Sequence, residues 1–235
     1  MIGNGLSRPT NRLLDALPDD EKQLLLTNTE TINLGLGEIL FERGKIAKYV
    51  YFPISGLISL VVDVDEQPPM ELAMIGKEGM LGATKILGVS DAPAHGVVQL
   101  KGAALRMLAT TFDELSRDGT LFQAIVKRYL YVLMTQLSRT AGCTHYHEVS
   151  SRLARWLLMA HDRSDTDKFF LTQQFLSEML GVQRSAVSIA ASALQQKELI
   201  SYSRGDISIL NRRGLEEASC SCYASIAEDQ RRYFP

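Results

Sequence analysis

Residues 171–200, LTQQFLSEMLGVQRSAVSIAASALQQKELI, contain two short apolar-striped segments that meet at Leu180-Gly181-Val182 with no residues left over for a loop. Glycine takes positive φ without steric cost, so Gly181 reads as the stop of one helix and the pivot into the next. Thr172 suits an N-cap, and Leu171 with Leu176 fits the N′ and N4 positions of a hydrophobic staple. The first helix would bury Phe175, Leu176, Met179 and Leu180. The second, over 183–196, would bury Val187, Ala190, Ala191 and Leu194, leaving Gln183, Arg184, Ser185, Ser188 and Ile189 on its opposite side. Two helices joined tightly in this way form the outline of a helix-turn-helix, whose second helix can enter a DNA major groove.

On that reading the five outward residues are the base-reading candidates. A guanidinium can contact guanine O6 and N7 together, which singles out Arg184, and Ser188 can serve any base. Thr172 and Gln174 are placed to hold phosphates and fix the register. Residues 199–203 and 207–210 are β-like runs separated by Arg204-Gly205-Asp206, a hairpin signal. A helix-turn-helix followed by a hairpin is a winged helix, with Arg204 at the wing tip near the DNA backbone. From Thr172 to Gly214 five cations (Arg184, Lys197, Arg204, Arg212, Arg213) face three anions (Glu178, Glu198, Asp206), a local balance of +2 within a chain of net charge −2. That basic footprint is weak for a phosphate-binding surface.

Working outward, 235 residues with 46% hydrophobic content allow two modest domains, each with a core. No run of about 18 apolar residues occurs, and the start MIGNGLSRPTNRLL lacks the apolar centre of an export signal. A cytoplasmic location with no membrane partner is the expectation. Cys143, Cys220 and Cys222 are an odd count without staple-like spacing, which fits a reducing compartment.

Leu13, Leu14 and Leu17 before Pro18-Asp19-Asp20-Glu21 predict a short helical lead-in. From Ile32 to Met107 the texture is β-like, and Ile58, Leu60, Val62 and Val64 form one apolar row. Further candidate strands are 31–41, 48–52, 71–75, 96–100 and 103–107. Six or more short strands suggest a sandwich or jelly-roll barrel. A long helix is expected over 119–147. Its stripe Val126, Leu130, Leu133, Leu137 and Ala141 is assigned to a second subunit, and its other stripe, Phe122, Ile125, Tyr129 and Val132, to the barrel. Residues 149–162 (VSSRLARWLLMAHD) predict a fresh amphipathic helix, and 164–168 a polar loop. The expected division is therefore α+β: a barrel domain over 1–118, a dimerisation helix over 119–147 and a winged helix over 148–235.

Taken together, LGLGEILFERG (34–44), VYFPISGLISLVV (50–62), EGMLGA (78–83), the long helix and 171–200 resemble the CRP/FNR family of bacterial transcription regulators. The resemblance implies a cyclic-nucleotide-binding-like barrel, a homodimer built on the long helix, a palindromic promoter site in double-stranded DNA, and RNA polymerase as a partner. Arg184 sits where the family's guanine-reading arginine falls. The effector cassette departs from the family pattern. In GATKILGVSDAPAH (82–95), Gly82 is kept, but Ala83 stands in the place of the ribose-binding glutamate and Pro93-Ala94 in that of the phosphate-binding Arg-Ser pair. A cyclic phosphate would lose its cation and its hydroxyl donor there. Lys85 and Lys77 are the available substitutes, without support from spacing.

No cysteine precedes Cys143, so an N-terminal iron–sulfur cluster of the family's kind is excluded. His95 is the one histidine of the strand region and reads as a surface or core residue. In Cys143, His145 and His147, helical spacing keeps only Cys143 and His147 on one face, and no metal or other cofactor is assigned. Cys220 and Cys222 are read as inert for want of a nearby basic group. A single barrel histidine cannot supply the ligands of a metalloenzyme, so no enzymatic activity is expected. The alternative reading is a regulator controlled by a non-nucleotide effector or a redox signal acting near the barrel and long helix. A barrel binding small molecules beside a secondary DNA-binding domain ranks below it.

Overall fold

The computed structural model describes residues 11–164 and 166–234. The reading of the first ten residues lies outside them. Two short helices open the described chain, α1 (Arg12–Asp15) and α2 (Asp19–Thr27). The Asn11 carbonyl oxygen accepts from the Leu13 N–H, and its amide donates at 2.8 Å to the carbonyls of Pro53 and Gly79. One buried side chain thus starts α1 and pins it to the sheet.

Strands β1 (Glu30–Leu34), β2 (Ile39–Phe41), β3 (Tyr49–Val62), β4 (Met70–Ile75) and β5 (His95–Leu108) form one antiparallel sheet in the order β1-β5-β3-β4, with β2 also on β5. The expected many short strands are replaced by fewer, with two of them 14 residues long. The reason is local. Between Pro53 and Ile58 the register shifts repeatedly, and here β3 crosses β5 at Gly56 and Gly102. A Cβ on Gly102 would lie 2.3 Å from the Ser55 carbonyl oxygen, so glycine lets both strands turn the corner without ending. The expected strand over 31–41 does break, at Gly37 with φ of 77°.

Both faces of β3 are covered. Ile58 and Leu60 enter the barrel core with Phe52, Met107, Phe112 and Phe122. Leu57 and Val61, one residue out of phase, join Trp156, Leu157, Met179 and Leu180 of the C-terminal domain. The period of two therefore divides one strand between two cores. Val64, expected in the apolar row, is past the strand end and exposed.

After α3 (Ala109–Leu115) comes α4 (Leu121–Tyr146), started by Thr120, whose hydroxyl accepts from the Gln123 N–H at 3.1 Å. Here the stripe assigned to a second subunit needs correction. Val126, Leu130 and Leu133 are buried in the chain's own barrel core, beside Phe122, Ile125 and Tyr129, and Leu137 packs half-buried on the same core. Of that row only Ala141 is exposed. The open sheet needs a broad apolar lid, and α4 spends both stripes on it.

Next come α5 (Val149–Arg163), β6 (Lys168–Phe170), α6 (Gln173–Leu180), α7 (Arg184–Gln196), β7 (Ile200–Ser203), β8 (Asp206–Ile209), α8 (Arg212–Ala218) and α9 (Cys222–Tyr233). Strand β6, within or beside what reads as loop, pairs with β8, giving a three-stranded sheet in the order β6-β8-β7. The architecture is α+β: an antiparallel β domain, a long helix and a helix-turn-helix with a small sheet. Among the described residues no helix is long and apolar enough to cross a membrane.

Candidate nucleic-acid interface

Helix α6 begins where Thr172 Oγ1 accepts from the Phe175 N–H at 3.1 Å and ends at Gly181 with φ 61° and ψ 45°. The positive φ favours glycine, and a Cβ here would fall 2.8 Å from Met70 Sδ, so the flexible Met70 side chain would have to give way to any larger residue. Helix α7 buries Val187, Ala190, Ala191 and Leu194 and starts at Gln183, whose side chain makes no capping bond. Gln183, Arg184, Ser185 and Ile189 are exposed and Ser188 is half-buried, all free of the core. At 71% exposure, Ile189 presents its methyl groups outward, the kind of contact a thymine methyl accepts.

The wing turns at Arg204 and Gly205, with φ of 52° and 96°, between paired Ser203 and Asp206. Two consecutive positive φ values make the primed turn that matches strand twist, and Arg204 occupies a conformation that non-glycine residues seldom take. Between α7 and this wing lies a groove lined by Thr172, Gln173, Arg184, Ser188, Ser192, Gln195, Tyr202 and Arg204. Its two cations meet no carboxylate in the lining. Arg212 and Arg213, which add to the local charge in the sequence, are paired elsewhere, Arg212 with Asp162 and Glu216 and Arg213 with Glu217. Gln174 is exposed and donates to Glu178 Oε1 at 2.8 Å, so it lies outside this lining.

Ser192, Gln195 and Tyr202 belong to the groove yet carry no motif; the i, i+4 step from Ser188 to Ser192 is the signal that finds one of them. Tyr202 donates to the Leu171 carbonyl at 2.8 Å, tying wing to helix-turn-helix. Burial raises its phenol pKa, while the nearby Arg184 charge acts the other way.

The domain is docked on the barrel. Met179 and Leu180 share a core with Leu57, Val61 and Met74, and Gln99 Nε2 approaches Met179 Sδ at 3.5 Å. Within this junction Glu71 is fully buried, accepting from Ser59 Oγ and, at 3.0 Å, from Trp156 Nε1. Burial pushes its carboxyl up to about 7, against the opposing pull of these hydrogen bonds and of Arg155 and Arg163. A second cleft, lined by Val62, Val64, Gln67, Pro68 and Met70 on one side and Gly181, Val182, Gln183 and Arg184 on the other, separates the β3–β4 hairpin from the start of α7.

In the barrel, Gly82 has φ of 100° and opens a single 3-10 turn over 83–87. Ala83 and Ala94 are buried in the barrel core among Phe41, Val50 and Leu81, while Pro93 is exposed. Lys85 lies 3.1 Å from Asp113, so a carboxylate already engages it. His95 Nε2 is 3.1 Å from Asp63.

The cysteines require a second correction. Cys143, Cys220 and Cys222 form a buried cluster of their own, and His147 and Arg155 act on it, so basic groups are at hand. His145 is exposed and turned to Tyr146.

With this geometry in place, the comparisons agree. Residues 151–218 match the family described as the Crp-like helix-turn-helix domain. Among solved structures, a transcriptional regulator of the CRP/FNR family from Eubacterium rectale superposes with a TM-score of 0.67 at 17% identity, covering 88% of this chain and 96% of that one. A CRP-family regulator from Thermus thermophilus gives 0.67 at 16% identity over 80% and 96%. The c-di-GMP-responsive global regulator CLP of Xanthomonas campestris gives 0.62 at 16% over 82% and 99%. No curated protein matches the sequence significantly. Residues 151–218 thus form a Crp-like helix-turn-helix domain, and the chain as a whole has the fold of these solved CRP/FNR-family regulators.

Proposed function

We propose that the chain regulates transcription as a homodimer that reads a two-fold symmetric site in double-stranded DNA, with Arg184, Gln183, Ser185, Ser188 and Ile189 at base edges. Thr172 and Arg204 hold the flanking phosphates, joined by Gln173, Ser192 and Gln195, while Gln174 serves as an outer contact. The observation that carries this reading is the carboxylate-free groove holding Arg184 and Arg204 between recognition helix and wing. It acts in the cytoplasm, on promoters served by RNA polymerase, and catalyses no reaction.

The second subunit meets the exposed row of α4. Ala124, Tyr131, Ser138 and His145 recur every seven residues, as do Lys127, Met134 and Ala141, and all are exposed. Tyr131 and Met134, at 52% and 57% exposure, supply the apolar contact, and the small residues allow close approach. Control by cyclic nucleotide through the usual cassette is not part of this reading, because Ala83 and Ala94 fill its interior. Control by another effector is favoured by the core shared between Leu57, Val61, Met74 and the helix-turn-helix, through which a change in the barrel reaches α6.

The test is selection of bound sequences from a random duplex pool at physiological salt, comparing the wild type with Arg184→Ala. A palindrome enriched by the wild type is expected, with guanine preference relaxed by about 1–3 kcal/mol in the variant. Enrichment that is unchanged by Arg184→Ala would remove Arg184 from base reading.

A further inference from the structure

We propose that Cys143, His147, Cys220 and Cys222 hold one zinc ion. Their ligand atoms, three sulfurs and one imidazole nitrogen, all lie within 4.8 Å of one another. Cys143 Sγ is 3.4 Å from Cys220 Sγ, and Cys222 Sγ is 3.7 Å from His147 Nδ1. A tetrahedron with zinc–sulfur bonds of about 2.3 Å has edges of about 3.8 Å, so this box has the size of a single four-coordinate ion. The donor set is one that structural zinc sites use, and the spacing is too tight for several metal atoms between the sulfurs. The 3.4 Å sulfur separation is also far beyond a disulfide bond of about 2.05 Å.

Two separate pieces of chain supply the ligands. Cys143 and His147 stand one helical turn apart at the end of α4, on one face. Cys220 lies in the link between α8 and α9, and Cys222 is the first residue of α9. The Cys222 backbone N–H is also directed at the Cys220 sulfur, a bond of the kind that orients ligands from outside the first sphere.

The surroundings give an independent reason. Three thiolates and a neutral imidazole around a dication leave one net negative charge. Arg152 and Arg155 are 5% and 6% exposed, and the Nε of each is buried without a hydrogen-bond partner among the described residues. Arg155 acts on all three thiols and Arg152 on Cys143 and Cys220. An anionic centre would give Arg152, whose other nitrogen donates to the Leu180 carbonyl, a counter-charge, and would add to the one that Arg155 shares with Glu71. The ion would bridge the end of α4 and the start of α9, fixing the long helix to the C-terminal segment of the chain.

The experiment uses the full chain without a histidine tag, purified under reductant, with zinc measured by mass spectrometry. One zinc per chain is expected, falling at least tenfold in Cys220→Ser/Cys222→Ser and unchanged in His145→Ala. In a second measurement that needs no variant to fold, wild-type protein stripped by chelator is titrated with Co2+, and the visible bands of a tetrahedral cobalt thiolate site are expected at one equivalent. The proposal fails if the wild type carries no zinc and gives no cobalt bands, if it carries iron with sulfide, if Cys143 and Cys220 are recovered as a disulfide, or if the double variant retains its zinc.

Discussion

The groove beside α7 keeps Arg184, Ser188, Ser192, Tyr202 and Arg204 along an open surface. The barrel segment over 82–95 turns Ala83, Ala92 and Ala94 into a packed interior against Phe41 and Val50. The first region carries cations and hydroxyls on an open surface, suited to a ligand rich in negative charge; the second presents methyl groups to its own core. The difference teaches where recognition resides. Arg184 and Arg204 face no carboxylate within the groove lining, whereas the alanines of the barrel segment are satisfied by packing alone.

The strongest way to break this contrast is to place a carboxylate in that alanine-lined interior. Ala83 is 2% exposed, and Glu at this position would bury a carboxylate beside Lys85, which Asp113 already engages. Ala83→Glu is expected to cost about 3–5 kcal/mol in urea unfolding. A near-neutral result would mean that the cassette interior still opens to admit a polar group.

A second test concerns the junction that ties the two regions together. The Glu71 carboxyl has its pKa raised to about 7 from 4.5, so the folded state binds a proton that the unfolded chain has released. Stability from this group is therefore full below pH of about 4.5 and falls as pH rises toward and through 7, by on the order of 3 kcal/mol in all. Wild-type protein is expected to melt at a lower temperature at pH 8 than at pH 5.5. Glu71→Gln keeps an acceptor for Trp156 and should lose most of that difference, becoming the more stable of the two at pH 8. Equal pH dependence in both proteins would place the titrating group elsewhere.

The two regions also differ in how far residues alone disclose them. Thr172, Gly181 and the Arg204-Gly205 turn are local signals, each set by the backbone conformation of one or two residues, and the winged helix follows from them. The long strands do not, because the continuity of β3 and β5 depends on Gly56 meeting Gly102 across the sheet. Periodicity located two apolar stripes on α4 but assigned one of them to a second subunit in error, since a stripe carries no mark of what covers it. Both belong to the chain's own core, and the row left outward is the less apolar one. The cysteine cluster is unreadable for the same reason, as Cys143 and Cys220 stand 77 positions apart and meet because α9 returns to α4.

The smallest effect sharpens the contrast within the groove itself, between a residue that reads bases and one that holds the backbone. Arg204 has φ of 52°, a conformation that asparagine adopts more readily than arginine. Arg204→Asn thus removes the cation while favouring the turn, so any loss of DNA affinity cannot be ascribed to a damaged wing. The expected outcome is a weakening that is uniform across sequences, with the slope of log affinity against log salt reduced by about one and melting temperature unchanged or raised. Arg184→Ala, by comparison, should alter which bases are preferred. If Arg204→Asn changed sequence preference and left the salt slope intact, the wing would be reading bases, and the division of roles between α7 and the wing would have to be redrawn.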